Sequence, residues 1–234
     1  MTSAVLGSGF KERLEKVRAR IRLAAEACGR DHSSVSLLAV SKFHPAEALR
    51  EAMDCGITHF AENYVQECAA KATALLGMCA GGVVATFALI GPLQRNKAKP
   101  ALQHFSELMT IDRPELASRL ATLAEELAVS RDVWIQVDLW GEETKMGGCP
   151  RAGIQLVVDA LKGSQRLSLK GFMAIPPYGV SSAFGELAEL REDWQQRLGC
   201  RLQLSMGMSD DLEEAIRAGS DQVRVGTALF GERA

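Results

Sequence analysis

Ser36-Leu37-Leu38-Ala39-Val40-Ser41-Lys42 is an apolar run that ends on a single amine, and residues of helical composition follow Pro45. A short apolar run bounded by polar residues reads as a buried strand, and proline is tolerated at the start of a helix. The stretch is therefore one strand-to-helix unit with Lys42 at the hand-over. Working outward, the same grammar recurs along the chain. Strands are expected at Ser36 to Val40, Thr58 to Phe60, Phe87 to Ile90, Glu107 to Ile111, Val133 to Leu139, Leu169 to Ile175, Leu202 to Leu204 and Gln222 to Val225. Helices are expected between them at Ala46 to Cys55, Val65 to Leu76, Pro114 to Ala128, Ala152 to Lys162, Ser182 to Leu198 and Asp211 to Ala218, with only a short helix within Gln94 to Gln103.

Eight strands alternating with helices place the chain in the α/β class and predict a closed (β/α)8 TIM barrel over an open doubly wound sheet. An open dinucleotide-binding sheet would want G-x-G-x-x-G after its first strand, and Ser41-Lys-Phe-His-Pro45 stands there instead. Ahead of the barrel, Phe10, Leu14, Val17, Ile21, Ala24 and Cys28 recur at helical spacing with Gly29 as the stop, which predicts an extra N-terminal helix over residues 10–28. The stretch Gly77 to Ala85 reads as a loose connection, but no linker divides the chain, and 234 residues suit a single domain over 1–234.

Composition narrows the functional classes. A formal charge of −2 offers no field for gathering nucleic acid or anionic lipid, so neither is an expected partner. The six cysteines are scattered without a C-x-x-C pair, and no histidine stands at metal-ligand spacing to one, so no metal site is expected. The N-terminus shows no signal-peptide pattern, and a cytoplasmic setting is the expectation.

In a closed barrel all strands point their C-terminal ends to one mouth, where functional groups gather. Lys42 follows the first strand there, Asn63 the second and Gly91 the third; Met173 lies in the sixth. Phosphate in barrels often binds between the loops after strands seven and eight, and Ser205, Met206, Gly226 and Thr227 sit in that place, with glycine permitting close backbone approach and hydroxyls adding donors. An amine that can form a Schiff base beside a phosphate cradle points to pyridoxal 5′-phosphate (PLP). Arg224, at the end of the last strand, either pairs with a surface acid or donates to the pyridine nitrogen. Asn63 either holds the ring oxygen or caps the following helix, and Met173 with Ile175 either lines the ring or fills the barrel. Ser209, before Asp210-Asp-Leu-Glu-Glu214, reads as a helix N-cap.

Six stretches, Leu38-Ala-Val-Ser-Lys42, Glu62-Asn-Tyr-Val-Gln-Glu67, Ile90-Gly-Pro-Leu-Gln94, Gly171-Phe-Met-Ala-Ile-Pro176, Leu204-Ser-Met-Gly-Met-Ser-Asp-Asp211 and Val223-Arg-Val-Gly-Thr-Ala-Leu-Phe-Gly231, occur in this order. In them the chain resembles, nearly end to end, the pyridoxal phosphate homeostasis protein family, relatives of the N-terminal barrel of alanine racemase. The resemblance implies the PLP fold type III barrel, Lys42 as the internal aldimine, Ser205, Gly226 and Thr227 at the phosphate, and Arg224 at the pyridine nitrogen. It departs from the family pattern at Ala61, usually glycine, and at Phe87-Ala88-Leu89, usually Trp-His-Phe. It further implies a monomer that buffers and carries PLP for vitamin B6 homeostasis, with apo-enzymes as recipients and no established turnover. The alternative is a PLP-dependent enzyme such as a weak amino-acid racemase. Racemisation needs acid–base groups on both faces of the α-carbon, however, and the racemase relatives take one from a C-terminal β-domain, whereas this sequence stops at Ala234, just past its last strand. From pattern alone, a Schiff-base aldolase acting on a sugar phosphate is a further reading.

Overall fold

The computed structural model describes residues 3–78, 84–141, 147–177 and 179–231, with side chains from residue 9 onward. Eight parallel strands, β1 (Ser36–Val40), β2 (His59–Glu62), β3 (Thr86–Leu89), β4 (Glu107–Ile111), β5 (Arg131–Gln136), β6 (Leu167–Met173), β7 (Gln203–Ser205) and β8 (Gln222–Val225), pair in chain order. Pairing of β8 with β1, from Ser36 against Gln222 to Ala39 against Val225, closes the barrel. The expected TIM barrel is thus the observed architecture.

Helices fill the connections: α1 (Ser3–Ala27), α2 (Ala46–Asp54), α3 (Val65–Met78), α4 (Ala98–His104), α5 (Pro114–Leu127), α6 (Ile154–Leu161), α7 (Ser182–Leu198), α8 (Leu212–Arg217) and α9 (Thr227–Phe230). The extra N-terminal helix is α1, ended by Gly29 at φ 70°. The short α9 had no sequence expectation. Most of the connection expected at Gly77 to Ala85 falls outside the described residues.

Alternation along the strands sorts the core into two compartments. Leu38, Ala61, Ala88, Met109, Trp134 and Met173, one from each of β1 to β6, pack together inside the barrel. Their neighbours on the other face, such as Ala39, Phe60, Leu108 and Phe172, pack against the helices. Trp134, 2% exposed, is the largest side chain of this interior cluster, which also holds the small side chains Ala61 and Ala88. The departures at these two positions therefore alter barrel filling, and neither side chain lines the cavity described below. Beneath this layer, Trp134 Nε1 donates to Glu107 Oε2 at 3.1 Å, while burial holds the Glu107 carboxyl above the ordinary carboxylate range.

The leading helix braces the closing strands. Phe10, Leu14, Val17 and Ile21 are buried, Arg20 forks onto Glu213 of α8 at 2.5 and 2.8 Å, and Arg13 Nε donates to the Leu229 carbonyl of α9 at 2.6 Å. Phe10 also meets Phe230 of α9 with ring centroids 5.4 Å apart. Among the described residues no helix is long and apolar enough to cross a membrane, and no group of three His, Cys, Asp or Glu is placed to hold a metal ion.

Candidate functional site

β1 ends in a tight turn. Ser41 N donates to Ala61 O at 3.0 Å, continuing the β2 pairing, and His44 N donates back to Ser41 O at 3.0 Å. Lys42 and Phe43 are the two central residues of that turn. Phe43 has φ 67°, the left-handed conformation that such turns usually reserve for glycine or asparagine at this position. The chain thus reverses sharply at the barrel mouth and presents Lys42 toward a cavity.

That cavity, of about 300 Å³, is lined by Lys42 and His44 after β1, Asn63 after β2, Met173 at the end of β6, Arg224 in β8, and Gly226 and Thr227 at the start of α9. Val40, Ile90 and Ile175 supply further apolar wall, and Met208, Ser209 and Asp210 form the loop after β7. His44 stacks on Phe230 with centroids 5.0 Å apart and 27° between planes, which ties the Lys42 turn to α9. A second recess of about 230 Å³ shares Asn63, Ile90 and Ile175 with the first and adds Gln136 and Asp138 as polar groups.

Arg224 is 4% exposed. Its Nη1 donates to Ser205 O at 2.6 Å and Ser205 Oγ at 2.9 Å, and its Nη2 donates to Ala174 O at 2.8 Å. A guanidinium carries five N–H donors, more than these three bonds use. Burial lowers its pKa to about 10, with Asp211 acting in the opposite sense, so the side chain remains a cation at neutral pH.

Of the residues singled out from sequence, the structure brings Lys42, Asn63, Met173, Arg224, Gly226 and Thr227 to one cavity. It does not bring Ser205 or Met206 there. Both are fully buried, and the Ser205 hydroxyl donates to Gln222 Oε1 at 2.8 Å while accepting from Arg224. The reason is that the Ser205 hydroxyl, at the end of β7, is held between Gln222 and Arg224 of β8. The serine after β7 that lines the cavity is Ser209, four residues on, whose hydroxyl also accepts from Ala228 N at 3.5 Å. The N-cap expectation for Ser209 is likewise corrected: the cap of α8 is Asp211, whose carboxylate accepts from Met208 N at 2.6 Å and pins the loop. Asp210 also faces the cavity and opposes an anion there. His44 was missed because a histidine after a strand carries no signal without its stacking partner.

At Gly91 a Cβ would lie 2.2 Å from Asn63 O and 2.7 Å from Asn63 Cα, so only glycine lets the loop after β3 press on the Asn63 backbone.

A family model described as alanine racemase, N-terminal domain, matches residues 13–234. A Pseudomonas aeruginosa protein named pyridoxal phosphate homeostasis protein is 42% identical over 231 residues, covering 97% of this chain and 96% of the relative. The structure of PipY from Synechococcus elongatus PCC7942 with PLP bound superposes with a TM-score of 0.82 at 36% identity, covering 95% of this chain and 100% of PipY. An alanine racemase from Clostridium difficile 630 superposes with a TM-score of 0.71 at 14% identity, and the match covers 95% of this chain but 56% of the racemase, which is a likeness of fold. The chain belongs to the alanine racemase N-terminal domain family and, within it, to the pyridoxal phosphate homeostasis proteins.

Proposed function

We propose that this protein binds PLP, holds it as a Schiff base on Lys42, and buffers and carries it for delivery to apo-enzymes. The observation that carries the proposal is the convergence of Lys42, Arg224 and Thr227 on one cavity of about 300 Å³, the size class of a small-molecule site. When bound, the cofactor supplies an aldehyde that condenses with an amine, releasing water, and an electron-withdrawing ring.

The chain's own groups suit that ligand. Lys42 contributes the amine, aimed by its turn. Val40, Ile90, Met173 and Ile175 offer apolar surface to the ring and exclude water from the attachment point. Gly226, whose added Cβ would lie 3.3 Å from Val40 O, lets the backbone pass close to β1, and beside it the hydroxyls of Thr227 and Ser209 offer donors to an anionic tail. Arg224, positively charged at neutral pH, presents donors to a ring nitrogen and keeps that nitrogen unprotonated. An unprotonated ring is a poor electron sink, which favours storage over carbanion chemistry.

Titration with PLP and with unphosphorylated pyridoxal tests binding: the phosphorylated form is expected to bind at least tenfold more tightly, about 1.4 kcal/mol, and equal affinity would contradict the phosphate site. Transfer of the cofactor to an apo-enzyme, with no α-proton exchange of amino acids in deuterated water, is the outcome expected of a carrier. Sustained exchange at enzymatic rates would make it an enzyme.

A further inference from the structure

The Glu62-Asn-Tyr-Val-Gln-Glu67 stretch places two carboxylates behind Lys42 that the reading above leaves unused. Glu62, at the end of β2, is fully buried, and Lys71 of α3 is 7% exposed. Lys71 Nζ donates to Glu62 Oε1 at 2.7 Å, to Glu67 Oε1 at 2.7 Å and to the carbonyl of Ser41 at 2.8 Å. Glu62 Oε1 also accepts from Ser41 Oγ at 2.7 Å, and Glu67 Oε1 accepts from the backbone N–H of Phe43 at 2.5 Å. One ammonium group and its two carboxylates thus grip the residues on both sides of Lys42. They hold the first residue of the turn by its carbonyl and hydroxyl and the left-handed third residue by its N–H. A buried charge cluster is a poor source of stability compared with apolar packing, and a non-glycine residue at positive φ persists only where its surroundings enforce it. Both features are accounted for if the cluster exists to hold the turn. Burial raises the Glu62 carboxyl above its ordinary range against the hydrogen bonds from Lys71 and Ser41 that lower it, and Glu62 Oε2 has no hydrogen-bond partner among the described residues.

We propose that Lys71, by bridging Glu62 and Glu67, enforces the strained Ser41–His44 turn and is the positioning residue that aims Lys42 at its ligand. This rests on covalent attachment at Lys42, in which the amine nitrogen forms the C=N bond, the aldehyde oxygen leaves as water, and the amine's two protons leave with it. Glu67 is the accessible handle, since its side chain is 21% exposed and its truncation leaves the buried pair of Lys71 and Glu62 in place.

The test compares Glu67→Ala, Glu67→Gln and Lys71→Met with the unaltered protein. Covalent attachment of PLP is read by borohydride trapping and peptide mapping, non-covalent binding by titration with pyridoxine 5′-phosphate, which has no aldehyde, and folding by thermal unfolding. Misaiming a reacting group costs rate steeply. Glu67→Ala and Lys71→Met are expected to lower attachment at residue 42 by about tenfold, with pyridoxine 5′-phosphate affinity changed by less than about threefold. Glu67→Gln, which keeps the acceptor for Phe43 N–H, restores attachment. Should Lys71→Met fail to fold, Glu67→Ala with its glutamine rescue decides. Folded Glu67→Ala that attaches PLP like the unaltered protein overturns the proposal, leaving Lys71 a neutraliser of buried acids. An unaltered protein that gives no adduct at Lys42 overturns the attachment reading, and this proposal with it.

Discussion

Replacing Arg224 with methionine separates the two jobs of this side chain. Its three hydrogen bonds to Ser205 O, Ser205 Oγ and Ala174 O are charge-assisted, and at about 1.5–2 kcal/mol each they contribute roughly 4.5–6 kcal/mol. Against this stands the burial of the cation. The fall of its pKa to about 10 corresponds to about 3 kcal/mol. At pH 7 the folded and unfolded chains both carry the charge, so the penalty acts in full; it fades only as pH rises beyond about 10. Methionine removes both contributions. Ser205 O keeps a donor, Ala174 N at 3.1 Å, which limits the damage. Arg224→Met is therefore expected to cost about 1.5–3 kcal/mol in urea unfolding at pH 7, or roughly 3–12 °C in melting temperature for a chain of this size. A variant as stable as the parent would refute the reasoning, because it would mean that the burial penalty cancels the bonds and that the arginine is retained for ligand binding alone.

Ser209→Ala is expected to weaken PLP binding by about three- to tenfold, the loss of one hydrogen bond, with the melting temperature unchanged. Ser205→Ala should instead cost about 1 kcal/mol of stability by depriving Gln222 and Arg224 of a shared partner; titration and thermal unfolding of the two variants separate the roles. Gly91→Ala forces a Cβ into the Asn63 backbone and should destabilise by about 2–4 kcal/mol in chemical denaturation. Glu213, held below 4.5 chiefly by the hydrogen bond from Arg20, stabilises the folded chain fully above pH 4.5, and that contribution is lost as pH falls through the lower folded-state value. With both side chains about one-third exposed, Glu213→Gln should cost only about 0.5–1 kcal/mol at pH 7, a gap in unfolding free energy that closes under strong acid.

The strands β1, β4 and β8 stand where apolar runs predicted them, because in a parallel barrel both faces of a strand are covered and the run is its own boundary marker. β2 extends to Glu62 because Lys71, nine residues ahead, supplies the partner that lets a carboxylate be buried; no local pattern announces that pairing. β5 ends at Gln136, short of Leu139, since Val137 leaves the ladder to bridge Cys149. At the mouth, Lys42, Arg224 and Thr227 were legible as residues directly following or ending strands. Ser205 and Ser209 were not distinguishable in the same way. Both are serines in one turn-like stretch, and which faces the cavity depends on where β7 stops and on Asp211 taking the cap, a choice between two equally good capping residues.

Reduction of the PLP-loaded protein with borohydride, followed by peptide mapping in a mass spectrometer, decides whether Lys42 carries the cofactor. The pyridoxyl adduct is expected on the peptide carrying Lys42, at one equivalent per chain, and absent from Lys42→Ala. An adduct on another lysine, or none, would contradict the account.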